Sequence, residues 1–458
     1  MNGHGSNRRP LVSRTVAVLA LLWGLGAGCA SVKQARLAQD ATRAPAGERT
    51  VRAAEIGLTS NTVVALDDAV LIALSYHPAV TQARQARAAA LAQLDQARGA
   101  YWPSVSANAS YGRGTANTAG TPGSHQTTGA YNASLGLDLL LYDFGKTPAL
   151  VRQACFSAMA ADENLRTARN DTAYAVRAAF FDLLRAQELA QVSEEAVRQY
   201  QEHLNQVKAF AEVGRRIRYD VTKAEVDLGN AQLSLIVARN GLTTARAALN
   251  RSLGLAEEPG FRLRESLLAE VPGDIASLMN VAREHHPGLR SLRDRERVAS
   301  AAVDAAIADL YPSLGLHGSY ALSGPHLPFV WNWSGALQSA INLLDGGRTK
   351  ARIAEATAQL RSARAQVADR EQQIYLDLTQ ALAQLAGARQ RTDLTALIVR
   401  QAQESLNLAT ERYRLGQASS VELTDAQVAV TQARADQVKA RFDYQTALAQ
   451  IRHSIGKE

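Results

Sequence analysis

The chain states its plan twice, and that duplication constrains the fold more than any other feature of its 458 residues. Tyr76-His77-Pro78 is followed by Tyr101-Trp102-Pro103-Ser104 and then Ser110-Tyr111. His285-His286-Pro287 is followed, at the same spacings, by Leu310-Tyr311-Pro312-Ser313 and then Ser319-Tyr320. Further on, Asp143-Phe144-Gly145-Lys146-Thr147 answers to Asp345-Gly346-Gly347-Arg348-Thr349. Val213-Gly214 with Asp220-Val221-Thr222 answers to Leu415-Gly416 with Glu422-Leu423-Thr424, and Leu253-Gly254 to Ile455-Gly456. The register slips only between Tyr111 and Asp143, where the first half is longer, as at a surface loop. Glycines and prolines kept in order over such a span mark one supersecondary unit written twice.

Each copy predicts the same series of elements. A short helix (Leu66 to Ser75; Ile275 to Glu284) ends at the Pro motif. Pro is tolerated in a first helical turn, so Pro78 and Pro287 open a second helix, which stops before Pro103 and Pro312. A long helix follows, from about Ala149 to Val213 and from Thr349 to Leu415, each about 100 Å at ~1.5 Å per residue. Val197, Tyr200, Leu204 and Val207 have the spacing of a coiled-coil seam. Glycine just past a helix is a usual stop, so Gly214 and Gly416 turn the chain into return helices, Asp220 to Leu253 and Glu422 to Ile455. The two shorter helices of a copy together nearly match its long one, so they can stack end to end beside it.

Between the second helix and the long one, the period changes from helical to two. Val105, Ala107, Ala109 and Tyr111 alternate with Ser106, Asn108 and Ser110; Ala133 to Leu141 alternates with Ser134, Gly136 and Asp138. In the second copy Leu314, Leu316 and Tyr320 form one apolar row, and Trp331, Trp333, Leu337, Ile341 and Leu343 form the next. Four such strands with no second sheet to cover them suit the wall of a membrane barrel. Tyr131, Trp331 and Trp333 lie near loop ends, where interfacial aromatics belong.

The N-terminus carries an address. Arg8, Arg9 and Arg14 precede an apolar run from Val16 to Leu25 and then Gly26-Ala27-Gly28-Cys29, a secretory signal too short to span a bilayer. Read as a lipobox, Cys29 becomes the acylated first residue, carrying palmitate, although Gly26 stands where such boxes usually carry Leu. Read as an ordinary signal, cleavage falls near Ala30. A Cys at this point, in a chain with only Cys29 and Cys155, favours the first reading. No disulfide framework exists, and no later run of eighteen apolar residues offers a transmembrane helix.

A 47% hydrophobic content excludes wholesale disorder, and 5% aromatics favour thin, closely packed helices. The net charge of +7 comes from arginines at helical spacing, such as Arg361, Arg364 and Arg370, with no basic block interleaved with aromatics. Solvated helix faces explain it, and a nucleic-acid partner is not expected. His285-His286 looks like a proton-transfer or metal pair, but only His286 is repeated, beside a Pro, which points to a helix boundary. No nucleophile elbow, phosphate loop or acidic-His cluster is present. No catalysis, cofactor or metal is expected.

These features together resemble the TolC-like outer-membrane factors, over roughly residues 60 to 456, with Cys29 resembling the lipoprotein branch. The most specific stretch is Tyr413-Arg-Leu-Gly416-Gln-Ala-Ser-Ser-Val-Glu422-Leu-Thr-Asp425. It is similar to the family's Tyr-x-x-Gly-x-x-x-x-x-Asp-Val-x-Asp pattern. The resemblance implies a mainly α fold with a small β part. Three subunits, each giving four strands, close a twelve-stranded β-barrel, continued by a long α-helical coiled-coil tunnel through the periplasm. The homotrimer is the outer-membrane exit duct of a tripartite efflux or secretion system. It meets outer-membrane lipid, a periplasmic adaptor (membrane fusion) protein and an inner-membrane transporter. By this resemblance Glu422 and Asp425 form acidic rings at the periplasmic gate; the plainer alternative is helix-start carboxylates favoured by the dipole. Asp220 and Tyr413 link neighbouring helices to hold the tip closed, and Gly214 and Gly416 are the turns the adaptor grips. The family's prototype also has an Arg two residues after the second Gly; here that place is Ala418, so the closing network is weaker or different. Export of proteins by type I secretion is an alternative cargo, and a periplasmic coiled-coil scaffold without a pore an alternative class. The expected divisions are a signal peptide (1–28), a linker (29–64) and two repeats (65–272 and 273–458).

Overall fold

The computed structural model describes residues 62–117, 125–213, 217–256, 261–269 and 273–457. In chain order the elements are β1 (Val63–Val64), α1 (Leu66–Tyr76), α2 (Pro78–Gly99), β2 (Ser104–Asn117), β3 (His125–Tyr142), α3 (Lys146–Glu212) and α4 (Arg218–Leu253). Then come β4 (Arg262–Leu263), α5 (Ile275–His285), α6 (Pro287–Ala308), β5 (Ser313–Gly324), β6 (Val330–Ala340), α7 (Arg348–Arg414) and α8 (Ser420–Ser454). The helices run 11, 22, 67 and 36 residues in the first half, against 11, 22, 67 and 35 in the second. The chain divides into a sheet unit (Gln96–Pro148 and Asp304–Lys350) and a helical unit formed by most of the remainder.

In the helical unit, short helices butt end to end beside long ones, and the repeated Gly and His-Pro motifs make the joint. Gly254 ends α4 at φ +76°; its N–H donates to the Arg251 carbonyl, and that of Leu255 to the Asn250 carbonyl, both at 3.1 Å. Gly456 ends α8 at φ +76°, with the matching pair from Gly456 to His453 and from Lys457 to Arg452, both 3.0 Å. This is the Schellman closure, in which a left-handed residue lets the last carbonyls find donors. A Cβ on Gly254 would lie 2.9 Å from the Cα of His77, and one on Gly456 2.8 Å from both the Cα of His286 and the Cδ of Pro287. Each glycine thus lets a return helix abut the start of α2 or α6. The histidines finish the joint from the other side. His77 Nδ1 accepts from the Ala79 N–H (3.2 Å) and His286 Nδ1 from the Leu289 N–H (3.3 Å), each capping the helix its Pro begins.

Equivalent cores surround the two joints. Ala69, Val70 and Ala73 of α1 pack with Val176 of α3 and Leu249 and Leu253 of α4. Leu278, Met279 and Ala282 of α5 pack with Leu378 of α7, Ile451 of α8 and Ile455 just past its end. Ion pairs cross between helices: Arg87–Asp162 (2.6 Å) for α2 and α3, Arg290–Glu163 (3.4 Å) for α6 and α3, and Arg293–Glu371 (2.9 Å) for α6 and α7. Exposed pairs of this kind contribute about 0–1 kcal/mol each, so apolar packing carries the stability and the charges select the neighbour.

The sheet unit is antiparallel, in the order β2-β3-β5-β6. Its register aligns Val105 with Leu137, Leu139 with Leu316, Leu316 with Leu337, and Tyr320 with Trp333. One face is therefore apolar in every strand. The other carries Ser104, Ser106, Asn108, Ser134, Asp138, His317, Ser319, Ser334 and Gln338. The expectation for the last strand is corrected at one end: Ile341 and Leu343 lie beyond β6, which stops at Ala340. Ala340 pairs with Ser313, the first residue of β5, and Pro312 before it has no N–H with which to continue the ladder. Leu343 and Leu344 are left 88% and 95% exposed, the barest apolar side chains among the described residues.

The repeated Asp-x-Gly-x-Thr motif is a helix-start device. Asp143 Oδ2 accepts from the Thr147 N–H at 2.6 Å. Asp345 Oδ2 accepts from the Thr349 N–H (2.8 Å) and hydroxyl (2.6 Å), and these bonds hold the Asp345 carboxyl below the ordinary carboxylate range.

The joint and the turn are expected to respond differently to the same substitution. Gly416 also has a positive φ, +75°, but open space where a Cβ would stand. Gly416→Ala is expected to cost only the backbone term, about 1–2 kcal/mol, while Gly456→Ala adds a steric clash and costs more. Denaturant unfolding of the two variants checks the order.

Candidate functional site

Two regions carry exposed features that the helix joints do not explain: the surfaces of the sheet, and the polar groups around the Gly416 turn. The apolar sheet face is uncovered among the described residues. Val105, Leu135, Leu337 and Trp333 are all exposed. Aromatics gather at both ends of this face. Tyr111 and Tyr131 lie 4.6 Å apart between ring centres, with Phe329 6.0 Å from Tyr131. Toward the other end Phe144 packs edge-on to Tyr142 (4.8 Å) and stacks on Tyr311 (5.4 Å).

Tyr131, Trp331 and Trp333 were legible from sequence as loop-end aromatics. The group at Phe144 was not. Phe144 has φ +54°, where its counterpart Gly346 has +66°. A non-glycine residue held there costs about 1–2 kcal/mol, and such strain persists where a side chain is needed. A β-bulge between Leu140 and Tyr142 turns Tyr142 onto the same ring group. The pairing of Phe144 with a glycine in the other half was the available signal.

At the other region, α7 ends in a Schellman turn. Gly416 N–H donates to the Tyr413 carbonyl (3.1 Å) and Gln417 N–H to the Arg412 carbonyl (2.8 Å). Ser419 then caps α8, its hydroxyl accepting from the Glu422 N–H at 3.2 Å. Below the turn the ends of α3, α4, α7 and α8 share a core containing the expected seam residues Tyr200, Leu204 and Val207. Tyr413 is buried in that core, its ring 5.5 Å from His203 in an edge-on contact. Burial, with Asp227 nearby, pushes the Tyr200 phenol up to about 12.

Asp220 accepts from the Ser420 hydroxyl at 3.1 Å, tying the start of α4 to the start of α8. Two turns further along α4, Asp227 accepts from the Thr424 hydroxyl of α8 (3.4 Å) and from Lys223 (2.9 Å). Glu422 and Asp425 come together on the wall of one open groove of about 620 Å³ between α7 and α8, with Glu404, Leu408 and Arg412. Arg412 forms a salt bridge to Glu422 and donates to the Gln417 carbonyl at 3.3 Å. Ala418, at the position of the family's arginine, is buried in the shared core. A guanidinium is thus present at this turn, supplied from before the glycine. Sequence reading missed Arg412, Ser420, Asp227 and His203, although Ser420 sits inside the Tyr413–Asp425 motif and Arg412 immediately before it. Gly214 and Cys29 lie outside the described residues.

No group of His, Cys, Asp and Glu able to hold a metal ion occurs among the described residues, and no helix there is long and apolar enough to cross a membrane. His286 is a boundary residue, buried at the joint, with Nδ1 against the Leu289 N–H and Nε2 3.4 Å from the Arg370 guanidinium. Both neighbours are donors, so an added proton has no acceptor.

A sheet with one uncovered apolar face, joined in sequence to paired 67-residue helices, is an arrangement that suits an outer-membrane efflux protein, and comparison with known proteins agrees. Residues 70–255 and 278–457 each match the family model for outer membrane efflux proteins. The chain belongs to the outer membrane efflux protein family, and its station is the outer membrane. It is 26% identical to the outer membrane efflux protein BepC of Brucella suis biovar 1, over 76% of each chain. It is 24% identical to the alkaline protease secretion protein AprF of Pseudomonas aeruginosa, over 71% of this chain and 70% of that one. A crystal structure of a membrane protein from Pseudomonas aeruginosa has the same fold, with TM-score 0.78 and 23% identity, covering 87% of this chain and 92% of that one.

Burial and the Arg370 charge lower His286 from 6.5 to about 4. The unfolded chain therefore binds the proton more readily, and stability is full above about pH 6.5 and lost as pH falls toward 4. The loss is on the order of 3 kcal/mol across that window. His286→Asn, which keeps a capping acceptor without a titrating ring, is expected to flatten this part of a stability–pH profile measured by denaturant unfolding.

Proposed function

We propose that three copies of this chain form an outer-membrane exit duct, a passive conduit for a tripartite efflux or secretion system. The observation that carries the reading is the sheet: one face apolar across four strands, with β2 and β6 unpaired at its edges among the described residues. Backbone groups in hydrocarbon must be satisfied, so a membrane sheet closes into a ring. Three copies give twelve strands. From Tyr131 to Tyr142 the strand spans about 36 Å at ~3.3 Å per residue. Tilted by about 40°, that is close to 28 Å of height, the scale of a bilayer's apolar layer. The aromatic groups then sit at the two interfaces.

The two family matches and the paired helix lengths support reading 65–272 and 273–458 as repeats of one unit, after a signal (1–28) and a linker (29–64). Cys29 is proposed as the palmitoylated anchor. The helical unit extends into the periplasm as a coiled-coil tunnel narrowing at the Gly214 and Gly416 turns, where a periplasmic adaptor and an inner-membrane transporter dock. Asp425, with Glu422 held by Arg412, supplies the acidic gate, and Asp220 and Tyr413 tie helices there. The chain has no enzymatic role in this reading, and energy comes from the partner pump. The relative named for alkaline protease secretion supports export of proteins as a second cargo class. A scaffold without a pore has no use for the sheet.

Detergent-extracted protein is expected to run as a trimer and conduct ions in planar bilayers; a monomer that stays in solution without detergent overturns the duct. In that assay Glu422→Ala with Asp425→Ala is expected to raise conductance or lower cation preference, and unchanged single-channel behaviour removes the gate assignment. Labelled palmitate is expected in the wild-type chain and absent from Cys29→Ser; a wild-type chain without label removes the anchor alone.

A further inference from the structure

The polar face of the sheet holds one charge-bearing pair. Asp138 of β3 and His317 of β5 are directly opposed in the ladder, and Asp138 Oδ1 lies 2.6 Å from His317 Nδ1. They are 58% and 47% exposed, so the pair borders open space. Every other described position on that face is uncharged. β2 presents Ser104, Ser106, Asn108 and Ser110, and the Ser104 hydroxyl reaches the Asp138 carbonyl at 3.5 Å. β6 sets Ala336 opposite His317, with Ser334 and Gln338 on either side. Arg113, the remaining Lys, Arg, Asp or Glu of this four-stranded sheet, stands on the apolar face in register with Val105 and Tyr111. Beyond the strands, Lys146 is paired with Asp309 at 2.7 Å, and Asp143 and Asp345 are committed to helix starts.

We propose that Asp138 and His317 set the ion preference of the barrel lumen, as a carboxylate whose charge is cancelled when its imidazole partner is protonated. The proposal rests on the duct reading, in which the polar face lines the water-filled interior. Period-2 alternation puts Asp138 and His317 on the face opposite Leu137 and Leu316, so they point inward when the leucines meet lipid. Threefold closure repeats the pair three times around the lumen. With a neutral imidazole each pair carries one negative charge, and the ring attracts cations. With imidazolium each pair is neutral. Histidine is the side chain that ordinarily changes charge between pH 5 and 8. Among the described residues no other charged or imidazole side chain stands on that face, so its fixed charge rests on this pair.

The experiment uses full-length protein in planar bilayers, in a Glu422→Ala, Asp425→Ala background that removes the proposed gate charges. Reversal potentials under a KCl gradient give the potassium-to-chloride permeability ratio at pH 8 and pH 5. The expected ratio falls roughly twofold on acidification at about 0.1 M salt and hardly at all at 1 M, where screening is strong. His317→Gln is expected to abolish the pH step and keep the pH 8 ratio, while Asp138→Asn lowers the ratio at both pH values. Asn and Gln already occur on this face, and heat-stable trimers on gels verify assembly of each variant. A pH step that survives His317→Gln, or ratios equal in all three proteins, overturns the proposal while leaving the duct intact. Failure of every form to conduct overturns the duct itself and this proposal with it.

Discussion

A backbone removed from water has to find its hydrogen bonds within the protein, and this constraint organises the whole chain. Four strands of 11 to 18 residues expose two edges and an apolar face, and no other sheet among the described residues covers them. In the proposed duct such a sheet is satisfied by closure with copies of itself. Closure also assigns the two faces, so residues as ordinary as Ser106 and Gln338 gain meaning from the leucines and tryptophans behind them. The aromatic group around Phe144 belongs to the same logic. Its left-handed backbone is a local cost, accepted where Gly346 avoids it in the other half, and what it adds is a ring stacked on Tyr311.

The helical unit solves a different problem. A 67-residue helix needs a partner along its length, and one return helix of 35 or 36 residues covers only about half of it. The remainder is covered by a second helix that begins where the first stops. Such a joint leaves carbonyls from one helix and N–H groups from the next facing each other in a crowded place. Glycine supplies the left-handed closure and the room, proline starts the next helix without a donor to satisfy, and histidine caps it. Three residue types at one junction, used twice, account for the repeated Gly and His-Pro motifs of the sequence. The cost is an imidazole with donors on both nitrogens.

Helices and their ends were legible because their signals are local. A glycine past the last apolar position and a proline at the first turn act within a few residues, so boundaries read from sequence fall within two or three of those found. Strand alternation was equally local, and failed at Ile341 and Leu343, where the period continues but the partner strand has ended, and at Leu141, where a β-bulge interrupts the ladder. What was hidden depends on distant residues. Asp138 and His317 are separated by 179 positions and Asp220 and Ser420 by 200, and no periodicity announces either contact. Arg412 and Glu422 are only ten apart, but across a turn whose geometry decides whether they meet.

That last pair bears on how an arrangement at the tip can be kept while its residues change. Ala418 occupies the place where the resemblance leads one to expect an arginine, and it is buried in the shared core with Leu423 and Tyr413. A guanidinium there would have to leave that core or break it. Arg412, on the exposed side of α7, reaches Glu422 with no such penalty, and its second nitrogen holds the Gln417 carbonyl in the turn. The bond is half-exposed, so its worth is about 0–1 kcal/mol and falls with salt. A contact of that size cannot hold helix ends together alone. Acting with Asp220–Ser420 and Asp227–Thr424, it makes one of several weak polar ties laid over an apolar core, and in the proposed duct such ties are ones a docking partner can undo one at a time.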